Sequence, residues 1–474
     1  MTHERQFYID GAWVDPVEPR FADVEDPATE APFTQVAMGS ARDVDRAVAA
    51  AKEAFAAYAR TPLEERLALL QRILEVYRTR MDDMARVLPR EMGATTAVAR
   101  GQVEGGAAHI QKTIETARAF PFERAHGLGK ITYQPVGACA LIVPWNNPVQ
   151  QVIAKAMPAL AAGCTVVCKP SELAPVAVSI LTEVIHEAGA PKGVFNLLNG
   201  EGATVGAAMA AHPDVDMVSI TGSVAAGAAV AKAAADTVKR VHQELGGKGP
   251  NIILPGADLE AAVRGGLMGC FFMGGQTCGA PTRMLVPEGA QVEAVRLARE
   301  IAAGVKVGAP DAEGVLYGPA ISKAQYEKVQ RYIRIGIEEG AEIVVGGEGR
   351  PEGLAHGYYC RPTVFANVTP KMRIAQEEIF GPVLSIIAYR DVEEAIRIAN
   401  DSVYGLVGYV QAREVAEGER VARRLRCGYV SVNYPPIDIT MPHGGFKHSG
   451  NGRQWGEHGL AEYMELAAIV LPPN

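Results

Sequence analysis

The sequence predicts an α/β fold in which parallel sheets are covered by helices on both faces. From Lys130 onward, short apolar runs of strand length alternate with helical patterns. A second series of the same grammar begins near Asn251-Ile-Ile-Leu254 and runs to about Asn433. At 474 residues the chain is too long for one hydrophobic core, so two or three domains are expected.

In chain order, Phe7 to Ala37 is punctuated by Gly and Pro, with short β-like pieces such as Gln6-Phe-Tyr-Ile-Asp10. Val44, Ala47, Val48, Ala51, Phe55 and Tyr58 recur at helical spacing, with Ser40 and Asp43 suited to the cap. A second helix places Leu67, Leu70, Leu74, Tyr77, Met81 and Met84 on one core-facing side. Residues 138–143 then read as a strand, 149–162 as a helix and 165–168 as a strand. A helix over about 175–188 follows, with strands at 194–198 and 217–220, and in the second series at 343–345 and 383–388. Ligands on such sheets sit beyond the carboxyl ends of the strands. Trp145-Asn146, Lys169 and Gly222-Ser223 each lie just past one.

A hydrophobic content of 48% with 21% charged residues is that of an ordinary globular protein. The net charge of -8 argues against nucleic acid or an anionic membrane as partner. The N-terminal stretch is charged and does not read as a secretory signal, and no run approaches the ~18 apolar residues of a membrane span. Seven cysteines, without metal-ligand or disulfide spacing, point to a reducing, cytoplasmic setting and no metal. Cys164 and Cys168 flank a buried strand and read as core.

The chemistry gathers around Phe271-Phe-Met-Gly-Gly-Gln-Thr-Cys278-Gly-Ala-Pro-Thr-Arg283. A lone Cys is usually a small buried hydrophobe; a nucleophilic one needs a lowered pKa, access and a partner. Three further stretches accompany it: Pro144-Trp145-Asn146, Glu244-Leu-Gly-Gly-Lys248 after a helix-like segment, and Gln376-Glu-Glu-Ile-Phe-Gly-Pro-Val383. Taken singly, Asn146 suits an ordinary turn, Glu244 a helix end, and Lys169-Pro-Ser-Glu172 a surface ion pair. Gly222-Ser-Val-Ala-Ala-Gly227 before an Ala-rich helix is a poor match to a dinucleotide fingerprint.

Together, in this order and spacing, these motifs resemble the aldehyde dehydrogenase superfamily, from about Gln6 to Gly444-Gly-Phe-Lys-His-Ser-Gly-Asn-Gly-Arg453. The resemblance implies a Rossmann-like NAD-binding domain over 1–118 and 138–246 and a catalytic domain over 247–454. It also implies an oligomerisation β-flap over 119–137 and 455–474, joining subunits into dimers or tetramers. It implies Cys278 as nucleophile, Glu244 as general base for thioester hydrolysis, and Asn146 with the Cys278 N–H as oxyanion donors. Lys169 and Glu172 match adenosine-ribose contacts, favouring NAD with NADP as a secondary cofactor. Glu378 and Phe380 match the nicotinamide-ribose side. Ile142, Pro144, Trp145, Ser171, Gly202, Gly206, Gly222, Ser223 and Leu245 complete the implied cofactor set.

Several positions depart from the commoner family pattern. The residue after Pro-Trp-Asn is Asn147, the following helix carries Gln150, Gln151 and Ala154, and the usual Pro-Phe-Gly-Gly is Pro442-His-Gly-Gly445. With Thr277, Gly279 and His443, these residues outline a substrate pocket with a wide, polar mouth, suited to a larger or oxygen-rich aldehyde. Gly452-Arg-Gln454 replaces Gly-Arg-Glu, which puts a proton relay through that Glu in doubt. Two other classes compete: a thiol hydrolase or acyltransferase without redox chemistry, and a non-catalytic NAD-binding protein. The first leaves Lys169, Glu172 and Glu378 unexplained, and the second leaves Cys278, Glu244 and Asn146 unexplained.

Overall fold

In the strand Ala138–Ile142, Cys139 and Leu141 pack into one hydrophobic cluster while Ala138, Ala140 and Ile142 pack into another. Burial on both faces is why the run reads as continuously apolar. The computed structural model describes residues 3–472. The first two residues, part of the N-terminal stretch read as lacking a leader, and the last two of the C-terminal tail lie outside the described residues.

Ala138–Ile142 lies in an eight-stranded sheet ordered Gly450–Asn451, Arg240–Glu244, Met217–Thr221, Ala138–Ile142, Thr165–Lys169, Phe195–Leu197, Phe7–Ile9, Ala12–Val14. Arg240–Glu244 through Phe195–Leu197 run parallel, and the outer strands pair antiparallel. From Ala138–Ile142 the chain builds first to one side and then, at Met217–Thr221, to the other. This reversal opens a crevice at the carboxyl ends of those two strands. Helices Ala41–Tyr58, Pro148–Ala162 and Val176–Glu187 cover the sheet, and Leu63–Met92 packs outside the last two. The first opens on Ser40 and Asp43 as expected, with the Ser40 N–H donating to Asp43 Oδ2 at 2.9 Å. Cys164 and Cys168 are fully buried, and all seven cysteines are free thiols.

Two elements depart from the sequence reading. Helix Thr96–Ala119 was not anticipated: Gly101, Gly105 and Gly106 interrupt its apolar period, and burial of Val103, Ile110 and Ile114 against its neighbours decides the outcome. Glu244 ends the strand Arg240–Glu244 rather than following a helix. The Ala-rich helix stops at Ala234, Val238 turns the chain at φ 55°, and His242 and Glu244 then face inward at the two-residue period of a strand.

The second sheet runs Glu342–Val345, Thr363–Ala366, Val383–Tyr389, Arg283–Pro287, Pro250–Ile253, Val407–Gln411, Tyr429–Val432, parallel but for its first pair. An antiparallel three-stranded sheet joins Met464–Val470, Gly129–Pro135 and Glu123–His126. Among the described residues no helix is long and apolar enough to cross a membrane.

Between the two large sheets the chain crosses once directly, from Arg240–Glu244 to Pro250–Ile253, through Leu245-Gly-Gly-Lys-Gly249. A Cβ on Gly246 would lie 2.3 Å from Glu378 Oε2, and one on Gly247 2.7 Å from the Cys278 carbonyl oxygen. Neither glycine serves a left-handed turn: Gly246 makes room for the Glu378 carboxylate, and Gly247 lets two backbones touch. Gly247→Ala is therefore expected to destabilise the protein by about 1–3 kcal/mol through overpacking, read as a lowered urea midpoint.

Candidate active site

The first sheet presents its carboxyl edge to the crevice: Asn146 after Ala138–Ile142, Gly222 after Met217–Thr221, and Glu244 ending its own strand. The second sheet presents its amino edge: Cys278 precedes Arg283–Pro287, and Glu378 and Phe380 precede Val383–Tyr389. A cavity of about 170 Å³ lies between the two edges. Pro144, Trp145, Asn146, Gln151, Gly222, Ser223, Glu244, Leu245, Cys278, Glu378 and Phe380 line it, with Thr221, Gly246, Gln325 and Lys328.

Cys278 is carried on a tightly specified loop. Met273, Gly274 and Gly275 adopt successive left-handed conformations, φ 54°, 64° and 71°. A Cβ on Gly275 would stand 2.1 Å from the Gly381 carbonyl oxygen, so this glycine locks the Cys278 loop against the Glu378–Phe380 segment. The buried Gln276 side chain donates to Met273 O at 3.0 Å and accepts from the Ile321 N–H at 3.0 Å. Tyr409 donates to the Gly279 carbonyl at 2.7 Å. Asn146 donates one amide N–H to Gln276 O at 3.0 Å, which leaves its second for another acceptor. Gln102, from the unanticipated helix, holds the Asn146 carbonyl at 3.1 Å.

Cys278 Sγ, a Glu244 carboxylate oxygen and a His443 ring nitrogen lie within 4.8 Å of one another. Glu244 is 1% exposed, and neither of its oxygens has a hydrogen-bond partner. The nearest His443 nitrogen stands 3.5 Å away. Burial pushes the Cys278 thiol well above its usual range, and the Glu244 and Glu378 carboxylates push it the same way. This reverses the lowered pKa expected of a nucleophile, because the sulfur is buried and two carboxylates face it. Deeper in, Lys155 donates to Ser219 Oγ at 3.0 Å, and burial lowers its pKa to about 7. At the Glu-to-Gln departure, the buried Gln454 Nε2 has no partner.

The cofactor-side residues form a second group along the same edge. Lys169 is buried, donating to Gly200 O at 2.6 Å, Pro170 O at 2.8 Å and Glu172 Oε2 at 3.3 Å. Ile142 ends its strand nearby, and a Cβ on Gly206 would meet only ordinary contacts with Lys169 and Ile142. Gly202 is exposed, and the Ser171 hydroxyl accepts from the Leu173 N–H at 3.3 Å. Ser223 caps helix Val224–Ala234 by accepting from the Ala226 N–H at 3.2 Å. Glu378 Oε1 accepts the Gly247 N–H at 2.9 Å. Phe380, at φ 60°, meets the Trp145 ring edge-on at 5.3 Å, and Gln325 holds its carbonyl at 2.7 Å.

Of the substrate-pocket residues, Gln151 lines the cavity and accepts from Thr221 at 3.3 Å. Asn147 is tied to Gln150, which in turn meets His109 at 2.8 Å. Ala154 lies in a separate small pocket with His109 and Trp455. Thr277 is half-buried, and Gly279 accepts from Tyr409. His443, beside Glu244, stacks on Trp455 at 4.4 Å and 23°, with Tyr429 6.2 Å from the same ring. Trp455 directly follows Gln454, so that departure could have flagged it. Gln102, Gln325 and Lys328 carried no local signal.

The family model described as the aldehyde dehydrogenase family matches residues 13–469. The chain is 47% identical over 472 residues to a 3-succinoylsemialdehyde-pyridine dehydrogenase from a Pseudomonas species, covering 99% of each chain. It is 50% identical to a mutant of aldehyde dehydrogenase C from Pseudomonas syringae, solved in complex with NAD+ and octanal. That structure matches at a TM-score of 0.98, over 100% of this chain and 98% of the other. An aldehyde dehydrogenase structure from Bartonella henselae is 44% identical, with a TM-score of 0.97 over 99% and 100% of the chains.

The raised thiol pKa has a direct consequence for alkylation of the protein alone. Thiolate appears only as pH rises past the ordinary thiol range of about 8.5, so the iodoacetamide rate at Cys278 should still be climbing at pH 9. Glu244→Gln removes one opposing charge and is expected to increase that rate several-fold at pH 8; an unchanged or slower rate contradicts the electrostatic account.

Proposed function

Since this chain belongs to the aldehyde dehydrogenase family, its reaction is NAD-dependent oxidation of an aldehyde, and we propose that Cys278, Glu244 and Asn146 carry it to the free carboxylic acid. The observation that carries this reading is the convergence of thiol, carboxylate and amide on one cavity that continues to a glycine-bordered helix start.

Cys278 adds to the carbonyl carbon as its proton passes to Glu244, whose carboxylate stands within 4.8 Å. Charge then develops on the carbonyl oxygen, where the second Asn146 amide N–H and the Cys278 backbone N–H donate. Held at its nicotinamide half by Glu378 and Phe380, NAD would supply the hydride acceptor and a positive charge that favours the thiolate form of Cys278. The acyl group remains on sulfur as a thioester. Once Glu244 has passed the thiol proton to solvent, it takes a proton from water, the water oxygen attacks the acyl carbon, and the sulfur leaves, recovering its proton from Glu244.

The residues fit the dinucleotide. A Cβ on Gly222 would make only ordinary contacts, the nearest at 3.8 Å, and the N-terminus of helix Val224–Ala234 favours a pyrophosphate. Lys169 and Glu172 would hold the adenosine ribose, with Ile142, Ser171, Gly202 and Gly206 beside them. Pro144, Trp145, Leu245, Glu378 and Phe380 would border the nicotinamide half. The Glu172 carboxylate disfavours a 2′-phosphate, so NADP is a secondary cofactor.

For the substrate we propose an aldehyde larger than a short alkyl one, with its body against Trp455 and His443. The mixed aromatic and imidazole wall supports this, as do relatives named for octanal and for a pyridine-bearing semialdehyde. Self-association through the three-stranded sheet is supported by its outer strand Met464–Val470, where Leu466 and Val470 are exposed on an open edge. A reducing, cytoplasmic setting would keep Cys278 a thiol.

Reduced-nicotinamide formation across an aldehyde panel tests the reading. Cys278→Ala should show none. Glu244→Gln should lose about 10²–10⁴-fold in kcat while an acyl adduct accumulates, visible by mass spectrometry. Turnover of acetaldehyde equal to or better than that of octanal would count against the substrate assignment.

Cofactor choice is tested separately. Glu172→Gln is expected to raise the NADP-to-NAD ratio of kcat/KM by about 10-fold or more, since like charges brought together cost several kcal/mol.

A further inference from the structure

We propose that Cys278, Glu244 and His443 form a binding site for Zn2+, which takes the sulfur out of reaction while the ion is bound. The binding rests on geometry alone; only its effect on turnover rests on the function proposed above.

The three residues offer one thiolate, one carboxylate and one imidazole, the mixed donor set that Zn2+ accepts and that Mg2+ and Ca2+, which select oxygen, do not. Zinc bonds of about 2.0–2.3 Å place tetrahedral ligands roughly 3.3–3.6 Å apart. His443 Nε2 and Glu244 Oε1 already meet that spacing at 3.5 Å. The sulfur lies within 4.8 Å of both, and a rotation of the Cys278 side chain closes the difference. The fourth position faces the cavity, open to water. Coordination releases the thiol proton to solvent, so charge and atoms balance.

A second observation points to a cation independently. Glu244 is 1% exposed, and both its oxygens lack hydrogen-bond partners. Buried carboxylate oxygens without donors are costly, and a divalent ion between them and the sulfur would satisfy them. His443 is held for the role: its ring stacks on Trp455, and its backbone exchanges hydrogen bonds with Gln454 at 2.9 and 2.7 Å.

The experiment uses metal-free full-length protein, with Co2+ as spectroscopic probe and Zn2+ as ligand. One Co2+ per chain should give the intense visible bands of a tetrahedral site and a sulfur-to-metal charge-transfer band. The charge-transfer band should vanish in Cys278→Ala. In His443→Phe, which keeps the ring stack but loses the nitrogen donor, Zn2+ should bind at least about 10-fold more weakly. Inhibition, scored against each variant's own metal-free rate, should shift by the same factor. Glu244→Gln supplies a second ligand deletion should His443→Phe fail to fold. Equal Zn2+ affinity in wild type and the ligand variants, or bound Co2+ without the charge-transfer band, overturns the proposal. A protein that gives these spectra but oxidises no aldehyde contradicts the proposed function and leaves the metal site standing.

Discussion

The organisation of this molecule depends on a length of backbone that carries almost no side chains where it runs from one sheet into the next. Glu244 sits at the last position of one sheet, and Pro250 opens the other. Between them, Gly246 lies against the Glu378 carboxylate, and Gly247 lies so close to the Cys278 carbonyl that a methyl group there would force the backbones apart. The opposite side is tied by Arg283, fully inside the protein. It donates to Lys248 O at 3.0 Å and to Ile398 O and Ala399 O at 3.0 and 2.9 Å. One guanidinium thereby holds the crossing to the end of helix Val392–Asn400, where carbonyls lack helical partners and favour a cation.

That crossing brings opposite ends of two sheets face to face. Carboxyl-end loops of the first sheet are rich in backbone N–H groups and suit a phosphate-bearing ligand, while amino-end loops of the second deliver the sulfur. The groups proposed to react are therefore drawn from both sides of the cleft, and none of their relative positions is set by a single element. Gln102 and Gln276 show how rigidity is supplied: each is largely buried, and each spends its amide on holding a neighbouring loop.

The electrostatics of the cleft impose a conflict. A thiol facing two carboxylates resists ionisation, yet Glu244 is the group best placed to move protons at the sulfur. A resting sulfur that stays protonated is protected from adventitious alkylation and oxidation, since the thiolate is the reactive form. Positive charge entering the cleft, from a cofactor ring or from the metal ion proposed above, would relieve the conflict. His443 and Trp455 set an imidazole and a large aromatic face beside Glu244 in one stacked pair.

Much of this was legible in the chain itself. The strand at 138–142, its helix at 148–162 and the strand at 165–169 follow from apolar runs of the right length, because burial on both faces leaves an unbroken hydrophobic record. The four motifs identified the site because their glycines, proline and polar residues answer local backbone demands that sequence displays. Glu244 was misassigned to a helix end because its strand carries Arg, His and Gln, and only pairing with Met217–Thr221 makes that stretch extended. Helix Thr96–Ala119 escaped notice because glycines blur its period while tertiary burial stabilises it. The raised thiol pKa, the imidazole beside Glu244 and the stacked Trp455 belong to the folded state alone. Each is a distance between residues far apart in sequence, and electrostatic and packing energies depend on separation in space, which local pattern does not encode.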